Sequence, residues 1–380
     1  MNNVITASRM ATLISCPRRH FWGNEIGLQK SATALALRFG SAWHRGMEAR
    51  WKGASYDEAL ALAIPEGIEL GEYDCATLSA LLAGYYDYYG AIEEVGQLEP
   101  EIQFSFPLEG FEGFTAEGKI DGLGRMKDGR PALIESKTTG DSIDPSSDYW
   151  LRLTFNMQVY QYADAAIRSG WDVPTVFYDV TRKPSIRPKQ VYDLDQEGRK
   201  IVIDANGKRI YAQKKTVATK GRGKSKTVTE LFSDDLTKPR QSGDEAKGWT
   251  LKSHVETPDE FCDRLWKDTL ARPAFYFVRR EVAILENDLE AFSRQRESMA
   301  RVIEHFRSCE SGADHEPRTR DPEAWPRNVS SNTCDLCSFK SFCLQNINID
   351  INHPPEGFAV KAFNPELEQA YDTTEPTPEA

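Results

Sequence analysis

The 380-residue sequence has no run of about 18 consecutive apolar residues and no recognisable signal peptide. A membrane span is therefore not expected, and we predict a cytoplasmic protein. The chain also lacks an excess of positive charge, because its formal net charge is −11. Net charge reports the long-range field, whereas nucleic-acid binding depends on local basic grooves. The acidic balance thus argues against tight non-specific binding of nucleic acid without excluding a site that acts on it.

The sequence also lacks a convincing ATPase signature. The segment from Ala218 to Ser225 fits a relaxed phosphate-loop pattern, but it follows no strong strand and opens no helix. A phosphate-binding loop needs both. The chain is therefore not expected to carry its own motor.

A disulfide framework is not expected either, because the chain has seven cysteines and no secretion signal. Four of them stand in metal-binding contexts: Cys16, followed by Pro17, and a C-terminal C-x2-C-x5-C segment formed by Cys334, Cys337 and Cys343. Thiolate sites of this kind suit both zinc and iron–sulfur clusters. The other three, Cys75, Cys262 and Cys309, lie in helical patterns and are expected to be buried.

Two short motifs predict a metal-dependent phosphodiesterase site. The first runs from Gly118 to Asp121, and the second is Glu135-Ser136-Lys137 at the end of an apolar, strand-like run. Magnesium or manganese needs hard oxygen ligands, and Asp121 and Glu135 can supply them. Alternation along a strand places Lys137 on the same face as Glu135, where it can position the attacking water or help to deprotonate it and can offset phosphate charge.

The motifs and their order resemble the PD-(D/E)xK nuclease superfamily, within it the RecB-like branch. A helix through His44 comes first, and a Q-x-x-x-Y helix with Gln158 and Tyr162 comes last. By this resemblance, the Gln and Tyr border the active site and orient the substrate and Lys137. The metal ligands that it implies are His44, Asp121, Glu135 and the main-chain carbonyl of Ile134.

The cysteine spacing resembles the [4Fe–4S] members of that branch, namely the AddB nuclease module and the CRISPR spacer-acquisition exonucleases. In those proteins the cluster joins the two chain ends around the nuclease core. The resemblance therefore implies that Cys16, Cys334, Cys337 and Cys343 bind a [4Fe–4S] cluster, with zinc as the less favoured alternative. Trp325-Pro326, just before the cysteines, is similar to the aromatic-Pro approach of such proteins.

The predicted fold is α/β, a restriction-endonuclease-like core with a central mixed sheet flanked by helices and chain ends stapled by the four cysteines. Expected core elements are helices near 35–52, 73–94 and 153–168, with strands near 114–126, 131–137 and 176–180. The predicted parts are an N-terminal segment 1–34, a nuclease core 35–181, an insertion 182–256, C-terminal helices with the cluster segment 257–350, and a tail 351–380 whose end is expected to be disordered.

The insertion is predicted to contain a β-hairpin that turns at Asn206-Gly207. A run of lysines and arginines from Lys214 to Lys226 follows, and it is either a basic arm for phosphates or a solvated loop. Four tyrosines between Tyr85 and Tyr89 either stack on bases or pack between helices, the latter being favoured.

Taken together, the sequence predicts a Mg²⁺- or Mn²⁺-dependent deoxyribonuclease, most readily an exonuclease, acting in DNA recombination, repair or end-processing. DNA is the expected partner, and a helicase or recombination protein is a second candidate partner. The sequence does not define the oligomeric state. Two rivals remain open: a non-catalytic DNA-end-binding or assembly subunit, and a zinc-stapled protein whose carboxylates serve only structure.

Overall fold

The structure is a computed structural model. It describes residues 3–31, 35–64, 70–154, 156–196, 198, 201–203, 209–218, 225–232, 239–240, 250–310, 321–345, 347, 349–350 and 352–361. The chain divides into two compact units, one formed by Met1–Pro184 with Trp266–Ala380 and the other by Ser185–Leu265. The finer five-part division stays a prediction.

The described helices and strands are as follows. The α-helices are α1 (Ala7–Ser15), α2 (Pro17–His20), α3 (Leu35–Trp51), α4 (Tyr56–Ala63), α5 (Glu72–Ile92), α6 (Asp148–Thr154), α7 (Met157–Arg168), α8 (Pro258–Ala271), α9 (Pro273–Tyr276), α10 (Glu286–Ser308), α11 (Ser331–Cys334) and α12 (Lys340–Gln345). The strands are β1 (Val4–Ile5), β2 (Leu28–Lys30), β3 (Val95–Pro107), β4 (Thr115–Met126), β5 (Pro131–Thr139), β6 (Thr175–Arg182), β7 (Gln190–Tyr192), β8 (Val202–Ile203), β9 (Arg209–Ala218), β10 (Ser225–Phe232), β11 (Pro239–Arg240), β12 (Thr250–Leu251), β13 (Ser253–Val255), β14 (Phe277–Ala283) and β15 (Phe358–Val360).

The larger unit is built on a six-stranded mixed sheet, which confirms the predicted α/β class with a central mixed sheet. The order is β1-β4-β5-β6-β14, and β3 pairs with β4 as well. Strand β3 pairs with nearly all of one edge of β4. Strands β1 and β5 therefore share the opposite edge of β4. Pairing of β4 with β1 ends at Ala116, and its pairing with β5 begins at Gly122. The β4 segment between them, which includes Asp121, therefore has no strand partner on that edge.

Helix α7 carries the predicted Q-x-x-x-Y motif, and its start corrects one prediction. The expected helix over 153–168 is two helices, α6 and α7, separated at Asn156. The Asn156 side chain accepts a hydrogen bond from the main-chain N–H of Gln158 at 3.0 Å, which caps α7. Asparagine favours this role because its side-chain oxygen satisfies a donor that a helix start leaves unpaired. The cap sets Gln158 in the first turn of α7.

Other elements agree with the sequence in part. Strands β8 and β9 pair antiparallel as predicted, with Val202 opposite Ile210. The predicted turn at Asn206-Gly207 lies outside the described residues. The sequence also has a strand-like stretch from Phe275 to Ile284, and a strand starting at Phe275 would be wrong. Pro273 begins the short helix α9, and β14 starts only at Phe277. The loop interpretation of Lys214 to Lys226 is wrong at both ends, which lie in β9 and β10. Residues 219–224 and the tail end from 373 lie outside the described residues.

Two of the four tyrosines, Tyr85 and Tyr89, are buried, which favours packing over base stacking, and Tyr85 joins a buried ionic network. Tyr85 is fully buried and donates a hydrogen bond to Asp179 on β6. Arg279 on β14 donates to Asp179 at 3.2 Å and to Glu93 at 3.2 Å. The Arg279 side chain is 3% exposed and that of Asp179 is 2% exposed, so this arginine neutralises two carboxylates inside the protein.

We expect Arg279→Met to destabilise the fold by about 3 to 5 kcal/mol, because removing one partner of a buried ion pair leaves uncompensated charge. Urea unfolding measures this loss. The matched control is Arg280→Met, since Arg280 is the exposed neighbour on the same strand. Equal midpoints for the two variants would contradict the structural role of Arg279.

No helix among the described residues is long and apolar enough to cross a membrane.

Candidate metal centre

Asp121 and Glu135 meet where β4 and β5 separate. The ladder between these strands ends with Gly122 opposite Ile134, so the two carboxylates belong to the first residues beyond it. Asp121 Oδ2 accepts a hydrogen bond from the main-chain N–H of Ser136 at 3.0 Å, where a strand partner would otherwise bind. Ile134, whose carbonyl belongs to the predicted ligand set, is buried directly before Glu135.

A chain of polar contacts links Lys137 to helix α7. Lys137 Nζ forms an ion pair with Glu135 and donates a hydrogen bond to Gln158 Oε1 at 2.8 Å. Gln158 Nε2 in turn donates to the Tyr162 hydroxyl at 2.7 Å. The structure thus brings together the four residues Glu135, Lys137, Gln158 and Tyr162, which lie on two elements. Lys137 is held in one direction before any substrate binds.

Gly118 allows this close packing beneath the site. A Cβ atom at Gly118 would lie 2.7 Å from the Phe104 ring and 3.4 Å from the Tyr162 ring. A side chain would therefore push the two rings apart. Close packing of these two rings therefore explains why a glycine opens the first motif.

Helix α3 brings His44 to the same place. His44 Nδ1 lies 3.5 Å from Asp121 Oδ2, which is close enough for both side chains to share a cation. A residue that the sequence analysis missed is also there: one ligand atom each of His44, Glu101 and Asp121 lies within 4.8 Å of the others. Glu101 belongs to no motif, and its position depends on the register of β3 against β4, which the sequence does not give.

The electrostatics of the centre favour a bound cation. Burial and the nearby Glu101 raise the pKa of Asp121 to about 7, although Lys137 opposes the rise. Burial and the nearby Asp121 likewise raise the pKa of Glu135 to about 7, again against Lys137. Apart from Lys137, no described group donates a hydrogen bond to the fully buried Glu135 carboxylate. A divalent cation would supply the missing positive charge, and carboxylate oxygens are its preferred ligands.

The pKa values of Lys137 and His44 shift in opposite directions. Burial would lower the pKa of Lys137, but Glu135 and Asp121 outweigh it and raise that pKa, so Lys137 stays protonated. Burial and Lys137 lower the pKa of His44, which favours the neutral imidazole. A metal ligand has to be neutral imidazole, so His44 fits the cation site.

The four cysteines predicted to bind a cluster line one pocket. They are Cys16, Cys334, Cys337 and Cys343. Cys16 is buried between α1 and α2, and its sulfur accepts a hydrogen bond from the main-chain N–H of Asn328 at 3.5 Å. Cysteines more than 300 positions apart in the sequence therefore converge on this pocket.

Trp325 and Pro326 fasten this pocket to the N-terminal segment. Trp325 is fully buried and stacks on His20 with ring centroids 5.3 Å apart. Arg18 donates hydrogen bonds from its main-chain N–H to the Pro326 carbonyl at 3.0 Å and from Nε to the Trp325 carbonyl at 2.8 Å. The aromatic-Pro segment therefore lies against the helix that follows Cys16.

The other cysteines correct a prediction. Cys309 is exposed, and Cys75 and Cys262 are only half-buried, so the expected burial is wrong. Cys309 is the C-terminal cap of α10, where the chain leaves the apolar face of that helix. None of the three lines the four-cysteine pocket.

Comparisons with known proteins identify the family of this chain. A family model described as the PD-(D/E)XK nuclease superfamily matches residues 4–344. A solved structure described as "Crystal structure of SSO0001" matches at 12% identity and a TM-score of 0.24, covering 48% of this chain and 63% of that one, which is less than two thirds of its length. Such a TM-score is too low to bear on fold or function. No curated protein matches the chain.

Proposed function

The chain belongs to the PD-(D/E)XK nuclease superfamily, and from this premise we propose that it is a Mg²⁺- or Mn²⁺-dependent deoxyribonuclease that degrades DNA from its ends. The observation that carries the proposal is the arrangement of Lys137 between Glu135 and Gln158, with Asp121 beside them. A scaffold that only binds DNA ends has no need for two carboxylates so close together, one of them fully buried with Lys137 as its one described donor. Those groups are costly unless a cation joins them.

In this proposal His44, Asp121, Glu135 and the Ile134 carbonyl hold the cation. When bound, the cation supplies Lewis-acid stabilisation of the charge that develops on the scissile phosphate. The three side chains come from α3, β4 and β5, so the fold, rather than a single loop, sets their spacing. Two buried carboxylates balance the charge of one divalent ion.

Lys137 positions the attacking water in this account. Its ammonium group already donates a hydrogen bond to Gln158, so it is held where it can position the water or help to deprotonate it. Glu135 and Gln158 hold two sides of the ammonium group, and the third N–H is left for the water or a phosphate oxygen. Tyr162 orients Gln158 and thereby Lys137.

We further propose that the four-cysteine pocket binds a [4Fe–4S] cluster and not zinc. The proposal is supported by the spacing of the cysteines, one N-terminal cysteine and a C-terminal C-x2-C-x5-C segment, and by the convergence of all four thiols on one pocket.

The charge around the pocket supports the same assignment. The pocket is also lined by four basic side chains, which can offset the negative charge of a thiolate-bound cluster: Arg18, Arg19, Arg327 and Lys340.

In the proposed physiology, the enzyme processes DNA ends in recombination or repair, beside a motor supplied by another protein.

End-labelled DNA tests the proposed activity. Protein purified without oxygen is incubated with linear and circular DNA, single- and double-stranded, in Mg²⁺ or Mn²⁺, beside Asp121→Asn. We expect labelled ends to be lost from linear DNA, circles to persist and the variant to be inactive. Cleaved circles would make the enzyme an endonuclease, and no cleavage on any substrate would favour the non-catalytic DNA-end-binding subunit.

A further inference from the structure

Glu101 lies in the candidate metal centre although it belongs to neither sequence motif. The register of β3 on β4 places it directly opposite Asp121, because Pro100 pairs with Gly122. One ligand atom each of Glu101, His44 and Asp121 lies within 4.8 Å of the others. We propose that Glu101 is a ligand of the divalent cation that His44 and Asp121 hold, an inference that rests on the proposed nuclease function.

The donor set is more than a group of surface acids. It contains an imidazole, and beside Asp121 lies Glu135, which is fully buried and has no described hydrogen-bond donor other than Lys137. The side chain of Glu101 is 15% exposed, and that of Asp121 is 13% exposed. A half-buried imidazole beside three carboxylates is a donor set for a hard divalent cation with nitrogen and oxygen ligands.

The backbone explains why Glu101 reaches this position. Its φ is +59°, and among the described residues it is the single non-glycine residue with a positive φ. β-strand residues rarely adopt this conformation, and such outliers cluster at functional sites. The neighbouring strand residues Pro100 and Ile102 keep their register with β4, so the distortion is confined to Glu101.

A simpler role for Glu101 is to neutralise Lys119, with which it forms an ion pair. The two roles predict different variants. If Glu101 binds the cation, then Lys119 is a competitor whose removal leaves cation binding intact or tighter. If Glu101 only neutralises Lys119, removing either partner disturbs the strand to the same extent.

Manganese binding measured by electron paramagnetic resonance separates these roles without an activity assay. Free Mn²⁺ is titrated into the full chain and into Glu101→Gln, Lys119→Met and Asp121→Asn. The matched control is Glu99→Gln, since Glu99 is exposed on the same strand. We expect Glu101→Gln to weaken Mn²⁺ binding about tenfold or more, because it removes one charged ligand, and Lys119→Met and Glu99→Gln to bind as tightly as the wild type.

Two results would overturn the inference. One is wild-type affinity in Glu101→Gln together with a large loss in Asp121→Asn, which leaves the proposed nuclease centre standing without Glu101. The other is an equal loss in Glu101→Gln and Lys119→Met, which assigns Glu101 to the ion pair. Wild-type affinity in Asp121→Asn would instead contradict the proposed function itself.

Discussion

Glu135→Gln is expected to abolish metal-dependent cleavage and, at the same time, to stabilise the metal-free protein. The loss of activity should be about 10³-fold or more, because the variant removes a charged ligand and a partner that directs Lys137. Cleavage is measured under single-turnover conditions with saturating Mg²⁺. Only a residue kept for its chemistry, at a cost to folding, gives both results.

The sign of the stability change follows from the pKa of Glu135. That pKa rises from 4.5 to about 7 in the folded protein, so the folded state binds the proton more tightly than the unfolded state. The neutral carboxyl is tolerated below pH 4.5, the stability then falls between pH 4.5 and about pH 7, and the full loss is present at higher pH. This rise in the pKa corresponds to about 3 kcal/mol at pH 8.

Urea unfolding with a chelator tests this at pH 4.5, 6 and 8. We expect Glu135→Gln to exceed the wild type in stability at pH 8, and the difference to vanish at pH 4.5. Glu112→Gln is the control, because Glu112 is exposed and far from the ladder that carries the site. A Glu135→Gln variant less stable than the wild type at pH 8 would show that Glu135 serves the fold.

Cys16→Ala and Cys343→Ala are expected to remove the iron and to destabilise the protein by several kcal/mol, because binding free energy at a structural metal site is folding free energy. Cys16 sits at the junction of α1 and α2, and Cys343 sits in α12, so the cluster would tie opposite ends of the chain together. Without it, that link rests on contacts such as those of Arg18 and Trp325.

Iron content, visible absorption and thermal unfolding of anaerobically purified protein measure this effect. Cys262→Ala is the matched control, because Cys262 is a half-buried cysteine outside the pocket. Full iron and unchanged melting in Cys16→Ala would remove Cys16 from the ligand set. A colourless wild type containing one zinc ion would replace the cluster by a zinc site.

The sequence predicted the core because its motifs report local rules. Alternation in β5 places Glu135 beside Lys137, and a helical spacing of four places Gln158 beside Tyr162. Both relations depend only on residues close in sequence, and both hold in the structure.

What the sequence did not predict depends on long-range register or on competing local signals. Glu101 faces Asp121 only because β3 pairs with β4 in one register, and no residue near Glu101 specifies it. The apolar periodicity continues across Asn156, so the sequence predicts one helix there. In the structure Asn156 caps the start of a separate helix, α7. The helical pattern that contains Cys309 predicts that this cysteine is buried. In the structure Cys309 is instead the cap at which α10 ends.

Lys137→Met gives the most direct test of the central claim, that a metal centre with an oriented lysine cuts DNA. Single-turnover cleavage of end-labelled linear DNA in Mg²⁺ is measured beside DNA affinity and Mn²⁺ affinity. We predict that cleavage falls by about 10²-fold or more, while both affinities stay near those of the wild type. Wild-type cleavage in this variant would contradict the claim, because another residue would then position the water.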